Sequence, residues 1–236
     1  MIGFGKCGRQ RELGIVSTED ARLLMIDPTS DGFFANVLEY VAEDEAVRKF
    51  IEAVREVQEA KVSKFWIPIY DPSIKGKEVV FKAGNAPAVG HSFNFWKEEA
   101  GKMPTVDGKH WSIGSEYQYY AFLVWIVNSK LESGWNVADA IKAVVLDSKE
   151  LEHYYKYNNW DTWLYFEKTG SREVCGVYDL ENTLKLLSCT NEVAGGFWVA
   201  GGVHGSFNHP LAELYHFDRD DVDDDYNTCV GWLVLS

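Results

Sequence analysis

The strongest hydrophobic periodicity in the chain is in ANVLEYVAEDEAVRKFIEAVREVQEAKV, residues 35–62. Val47, Phe50, Ile51, Val54 and Val57 recur three or four positions apart, and Glu, Lys and Arg fill the other side, which predicts an amphipathic helix with a solvated face. KFWIPIYDP and KEVVFKAG read as two strands around a Pro/Ser/Gly turn, and NAPAVGHSFNFW reads as a loop. SIGSEYQYYAFLVWIVNSKLESGW, 112–135, carries a long apolar run and ends in polar residues and Gly134, which predicts a second helix. A third is expected at 136–151, with Asn136 as N-cap and Asp139 in the first turn.

From Tyr154 onward the texture changes. Short aromatic-rich segments alternate with Gly, Asn and Asp, as in an irregular region of few short strands and long loops. The stretch 203–229 reads as such a loop. It is anchored on both sides by the strand-like runs FWVAGG and GWLVLS, and anchoring argues for order.

The chain has 236 residues, enough for one large domain or two small ones. Aromatic residues make up 14%, with nine Trp, and most of them are expected in the core. A net charge of −13 without any run of Lys and Arg excludes nucleic acid as a partner. No apolar stretch approaches the ~20 residues of a membrane span, since AFLVWIV at 121–127 is far too short. The N-terminus lacks the apolar core of a signal peptide. Cys7, Cys175, Cys189 and Cys229 are widely spaced, so buried thiols are expected ahead of a Cys175–Cys189 bridge.

The segment 201–232, GGVHGSFNHPLAELYHFDRDDVDDDYNTCVGW, concentrates unusual chemistry. It holds His204, His209 and His216 and an acidic cluster of Asp218, Asp220, Asp221, Asp223, Asp224 and Asp225. Asp221-x-Asp223-x-Asp225 alternates as in a calcium loop, but Tyr226 stands where the turn glycine belongs and no Glu occupies the twelfth position. A solvated acidic patch that attracts a basic epitope is the preferred reading. The histidines read as exposed recognition residues; His91, His110 and His153 are isolated and read as structural. Ser206 lies in no nucleophile elbow, and no carboxylate pair stands out among 36 acids, so no catalytic residue, metal or cofactor is assigned. Phe207, Tyr215, Phe217 and Tyr226 are the expected recognition anchors, with exposure favoured for Phe217. Trp198, Leu211, Leu214, Trp232 and Leu233 are expected in the core.

GVYDLENTLKLLS (176–188), GFWVAGGV (196–203), a long polar loop and VGWLVL (230–235) follow one another in an order that resembles the formylglycine-generating-enzyme/sulfatase-modifying superfamily. Asp179, Leu180 and Asn182 take the D-M…N positions of its signature, Gly201–Gly202 the Gly-Gly pair and Gly231–Trp232 the closing G-F pair. The resemblance covers about 104–236, with 1–103 a helix-plus-strand region that packs on that part, precedes it or mediates oligomerisation. It implies an α+β chain with a C-type-lectin-like fold: a small twisted antiparallel sheet, two or more helices and long irregular loops. Ala200 and His204 depart from the residues that flank the Gly-Gly pair in that family, and no cysteine pair follows, so copper-thiolate oxidation is disfavoured.

A second branch of the same fold is more similar: the variable proteins of diversity-generating retroelements. There the last segment is rewritten at adenines, chiefly in asparagine-type codons, which cannot yield Lys, Gln, Glu, Met or Trp. Residues 203–230 contain no Lys, Gln, Met or Trp, and their one Glu, Glu213, lies in PLAEL, which reads as a fixed scaffold turn. Residues 42–62, by contrast, contain five Glu, one Gln and two Lys. The resemblance implies a noncatalytic binding protein displayed on a virion or cell surface, with an unidentified protein or surface ligand as its partner. Its contacts would come from His204, Ser206, Phe207, Asn208, His209, Tyr215, His216, Phe217, Asp218, Arg219, Asp220, Asp223, Asp224, Asp225 and Tyr226. Asp179, Asn182, Trp198, Gly201, Gly202, Gly231 and Trp232 would form the scaffold. The alternative implied by the wider superfamily is a metal-dependent enzyme.

Overall fold

The structure, a computed structural model, describes residues 22–145, 173–178, 184–190, 196–200, 203–204, 207–208, 211–212, 214–217, 221–224 and 229–236, with the backbone alone at 173–174, 178, 184, 203–204 and 207–208. The described elements run β1 (Leu23–Ile26), α1 (Ala35–Leu38), α2 (Glu45–Ala60), β2 (Phe65–Pro68), β3 (Ser73–Lys75), β4 (Glu78–Val80), α3 (Phe93–Lys102), β5 (Trp111–Ile113), α4 (Glu116–Glu132) and α5 (Val137–Val145). They continue with β6 (Glu173–Val174), β7 (Val177–Tyr178), β8 (Leu184–Ser188), β9 (Phe197–Ala200), β10 (Val203–His204), β11 (Phe207–Asn208), β12 (Leu214–Phe217), β13 (Cys229–Gly231) and β14 (Leu233–Leu235). The chain is α+β.

The helix expected over 35–62 is divided. Asp44 adopts an extended backbone and its carboxylate accepts from the Ala46 and Val47 amides, so α2 starts afresh at an N-cap. Val47, Phe50, Ile51, Val54 and Val57 are all buried, which is the face the periodicity predicts. The second helix begins later than expected, because Trp111–Ile113 extend to pair with β14. Ser115 and Gln118 then form a reciprocal capping box that opens α4. Helix α3 lies partly in the stretch expected as a loop, and the Ser92 hydroxyl caps it by accepting from Phe95 N. Asn136 caps α5 as expected, accepting from Asp139 N at 2.9 Å.

Two four-stranded sheets make the frame, with orders β1-β2-β14-β5 and β12-β9-β8-β13. In the first, β14 pairs with both β2 and β5, so strands from before residue 103 and after residue 104 share one sheet. In the second, β8–β9 and β9–β12 are antiparallel and β13–β8 is parallel. Successive residues of a strand face opposite ways, and here both directions are buried. Leu24, Ile26, Phe65, Ile67, Val234, Leu187 and Ala200 belong to a core shared with α1, α2, α4 and α5. Leu23, Trp66, Leu233, Leu235, Leu186, Phe197 and Val199 belong to a second core built around α3. Continuous apolar runs such as LLMI and LVL are the consequence. α4 is apolar on nearly every face because other elements surround it.

The sheets meet at Trp232. Its amide donates to Leu186 O in one sheet at 3.1 Å, and its carbonyl accepts from Gly114 N beside the other at 2.8 Å. The buried ring lies edge-on to Phe65 and Tyr119 and tilted against Phe122. A Cβ on Gly114 would come within 2.4 Å of that ring, and one on Gly231 within 2.5 Å of Trp96. Gly114→Ala is therefore expected to lower the unfolding free energy by about 1–3 kcal/mol and Trp232→Ala by about 3–5 kcal/mol. Both should appear as earlier denaturant midpoints at an unchanged slope.

Candidate functional site

The segment singled out by composition crosses the second sheet and is fastened to three helices. β12 pairs with β9 in the register Leu214↔Ala200 to Phe217↔Phe197, so the expected loop contains a sheet strand. β10 and β11 pair through Val203↔Asn208 and His204↔Phe207. Tyr119 of α4 donates its hydroxyl to Leu211 O at 3.0 Å, and Ala212 N donates to Val144 O of α5 at 2.9 Å. Asn94 of α3 donates its amide to Val222 O at 3.1 Å and its Nδ2 to Asp223 Oδ1 at 2.7 Å. A turn closes beyond it, with Asp224 N donating to Asp221 O. Burial, chiefly, holds the Tyr119 phenol far above its ordinary range, so it stays a neutral donor at any physiological pH.

The described side chains of this segment fall into two groups. Tyr215, His216, Asp223 and Asp224 are exposed. His216 stands edge-on to Trp198, its cross-strand partner, at a centroid distance of 4.9 Å. Leu211 is buried, and Leu214 and Trp198 are half-buried against the first core. Phe217, expected to be exposed, is not a presented ring. It stacks on Phe197 at 5.3 Å and 9°, and Phe197 stacks on Phe93 at 5.2 Å and 15°, in a three-ring column joining β12, β9 and α3. The polar neighbours of Phe217 suggested exposure; the register opposite Phe197 turns it inward instead. Asp223 is exposed yet engaged by Asn94, so one of its carboxylate oxygens serves the frame.

Gly231 and Trp232 sit at the sheet junction. His204, Phe207 and Asn208 are placed by their backbone alone, within the β10–β11 pair. Ser206, His209, Asp218, Arg219, Asp220, Asp225 and Tyr226, with Asp179, Asn182, Gly201 and Gly202, lie outside the described residues, as do Cys7, His153 and Glu213. Cys175, Cys189 and Cys229 are thiols, so no Cys175–Cys189 bridge forms. Among the described residues no three His, Cys, Asp or Glu side chains converge as a metal-binding group. None of the described helices is long and apolar enough to cross a membrane. His91 stacks on Phe95 at 4.0 Å, and the backbone of His110 exchanges hydrogen bonds with Ser236.

No protein-family model, curated protein or solved structure matches the chain.

Two buried polar devices have almost no signature in the local sequence pattern. Glu116, in the first turn of α4, is buried and accepts from both the amide and the hydroxyl of Thr190. Lys185 of β8 and Asp71 form a buried ion pair. The only trace of the second was a lone lysine inside LKLLS, the interior of a strand.

Phe217→Ala should cost about 2 kcal/mol or more, because it removes one end of the ring column, whereas Tyr215→Ala, at an exposed ring, should cost clearly less. Thermal and denaturant unfolding of the two variants checks the contrast. Burial first and the Glu116 carboxylate second push the Cys189 thiol up to about 11. Only the thiolate is nucleophilic, so alkylation of Cys189 in the folded chain should be slow near about pH 8 and accelerate steadily towards about pH 11. Peptide mapping after timed labelling reads that rate.

Proposed function

We propose that the chain is a noncatalytic ligand-binding protein whose C-terminal half has a C-type-lectin-like fold and presents 204–209 and 215–228 to a partner. On this reading it is a variable protein of a diversity-generating retroelement, borne on a virion or a cell surface. One observation carries the proposal. The frame holds this segment chiefly by its main chain: Leu211 O, Ala212 N, Val222 O and the β12–β9 ladder are all backbone contacts. A backbone contact does not depend on which side chain is attached. Tyr215, His216 and Asp224 can then be exchanged at the cost of only their own side-chain contacts, such as His216 on Trp198, while Leu211, Phe217 and Val222 keep the strand and turn in place.

Strand β12 and the turn at 221–224, held by the frame before binding, lose little conformational freedom when a partner arrives, so more of the contact energy appears as affinity. Tyr215 offers area with a polar tip at low entropic cost, and the neighbouring aspartates favour encounter with a basic epitope.

Replacing Tyr215, His216 and Asp224 together should shift stability by no more than about 1 kcal/mol. A cooperative loss of fold in that triple variant would defeat the reading. At the genetic level, a near-identical template repeat beside a reverse-transcriptase gene should differ from the codons of 204–228 mainly at adenines. A locus without such a repeat removes the diversification and leaves a fixed binder.

A further inference from the structure

The most deeply buried charges among the described residues are Lys185 and Asp71. Lys185, the second residue of β8, and Asp71, between β2 and β3, have side chains only 2% and 8% exposed, with Nζ 2.5 Å from Oδ1. They line a small, partly open cleft with Phe81, Val177, Trp232 and Leu233. Charges withdrawn from water among apolar groups are costly, and passing one proton from Nζ to the carboxylate removes both charges at once. The neutral form of the pair is a primary amine in contact with a carboxylic acid.

Those are the reactants of an amide condensation. Lys185 cannot withdraw easily, because its strand is paired on both sides, opposite Ala200 in β9 and Val230 in β13. Fixed contact supplies an effective concentration that two solutes never reach. The ordinary intramolecular fate of an aspartyl group, cyclisation on the following backbone nitrogen, is closed here. Residue 72 is proline, and its nitrogen bears no hydrogen. The lysine amine is thus the nucleophile placed to reach Cγ.

We propose that Lys185 and Asp71 join in an intramolecular amide bond that ties β8 to the connection between β2 and β3. The Nζ lone pair attacks Cγ of the protonated carboxyl and forms the C–N bond. The C–OH bond breaks, and the departing hydroxide takes a proton from the nitrogen and leaves as water through the cleft. No oxidation state changes, and no co-reactant is consumed. The product replaces two buried charges with one neutral amide, and it links positions 114 residues apart in the chain.

Intact-mass measurement of the denatured full-length protein tests this without any ligand. The parent chain should be lighter than its sequence mass by one water, and a digest should contain a branched peptide joining the Asp71 and Lys185 fragments. K185R keeps a cation but has no primary amine at that position, and D71A has no carboxyl; each should show its full sequence mass whether or not it folds well. A parent chain at full sequence mass after prolonged incubation in the folded state overturns the proposal. So does a water loss that persists in K185R.

Discussion

The chain leaves one sheet and enters the other within a single residue, and the geometry of that crossing constrains everything around it. Trp232 satisfies its amide in the sheet it leaves and its carbonyl beside the sheet it enters, so the crossing has no unpaired backbone group. Its ring fills the space where β2 and α4 converge. That space exists because Gly114 has no side chain, and the strand before it lies close over Trp96 because Gly231 has none. A larger residue at either glycine would push the sheets apart. Both cores would open with them, because each sheet has one face in each core.

The same double burial fastens β12 to the rest of the molecule. β12 is joined to β9, and through the Phe93–Phe197–Phe217 column the strand is tied to α3 on the side away from the larger helical layer. Tyr119 reaches from the opposite layer to hold Leu211 O. Clamped from both sides by its main chain and a few inward rings, the segment retains only Tyr215, His216 and the turn aspartates as described outward groups. Main-chain contacts do most of the holding, while the Phe217 ring and one Asp223 carboxylate oxygen add side-chain contacts to the frame.

Much of the helical layer was legible in the sequence. The stripe from Val47 to Val57 and the Asn136 cap act through neighbours three or four positions away, and local spacing records such contacts directly. Ser115-x-x-Gln118 was equally local and would have marked the start of α4. The extension of Trp111–Ile113 was not legible, because it is imposed by β14 from more than a hundred residues away. The same holds for Phe217, whose polar neighbours mislead until β9 is set beside it. Asn94 bonding Asp223 and Lys185 meeting Asp71 also join distant positions, and neither pair has a spacing to betray it.

By itself the sequence determined the buried stripe of α2, the cap of α5 and the compositional difference of 203–230, because periodicity, capping and residue choice are properties of short windows. Only the tertiary structure decided which side of each strand is buried, which aromatic rings serve the frame, and which charges are withdrawn from water. Those outcomes depend on register and on which sheet faces which helix. Register is settled by the burial of all the strands at once, so no single window of sequence contains it.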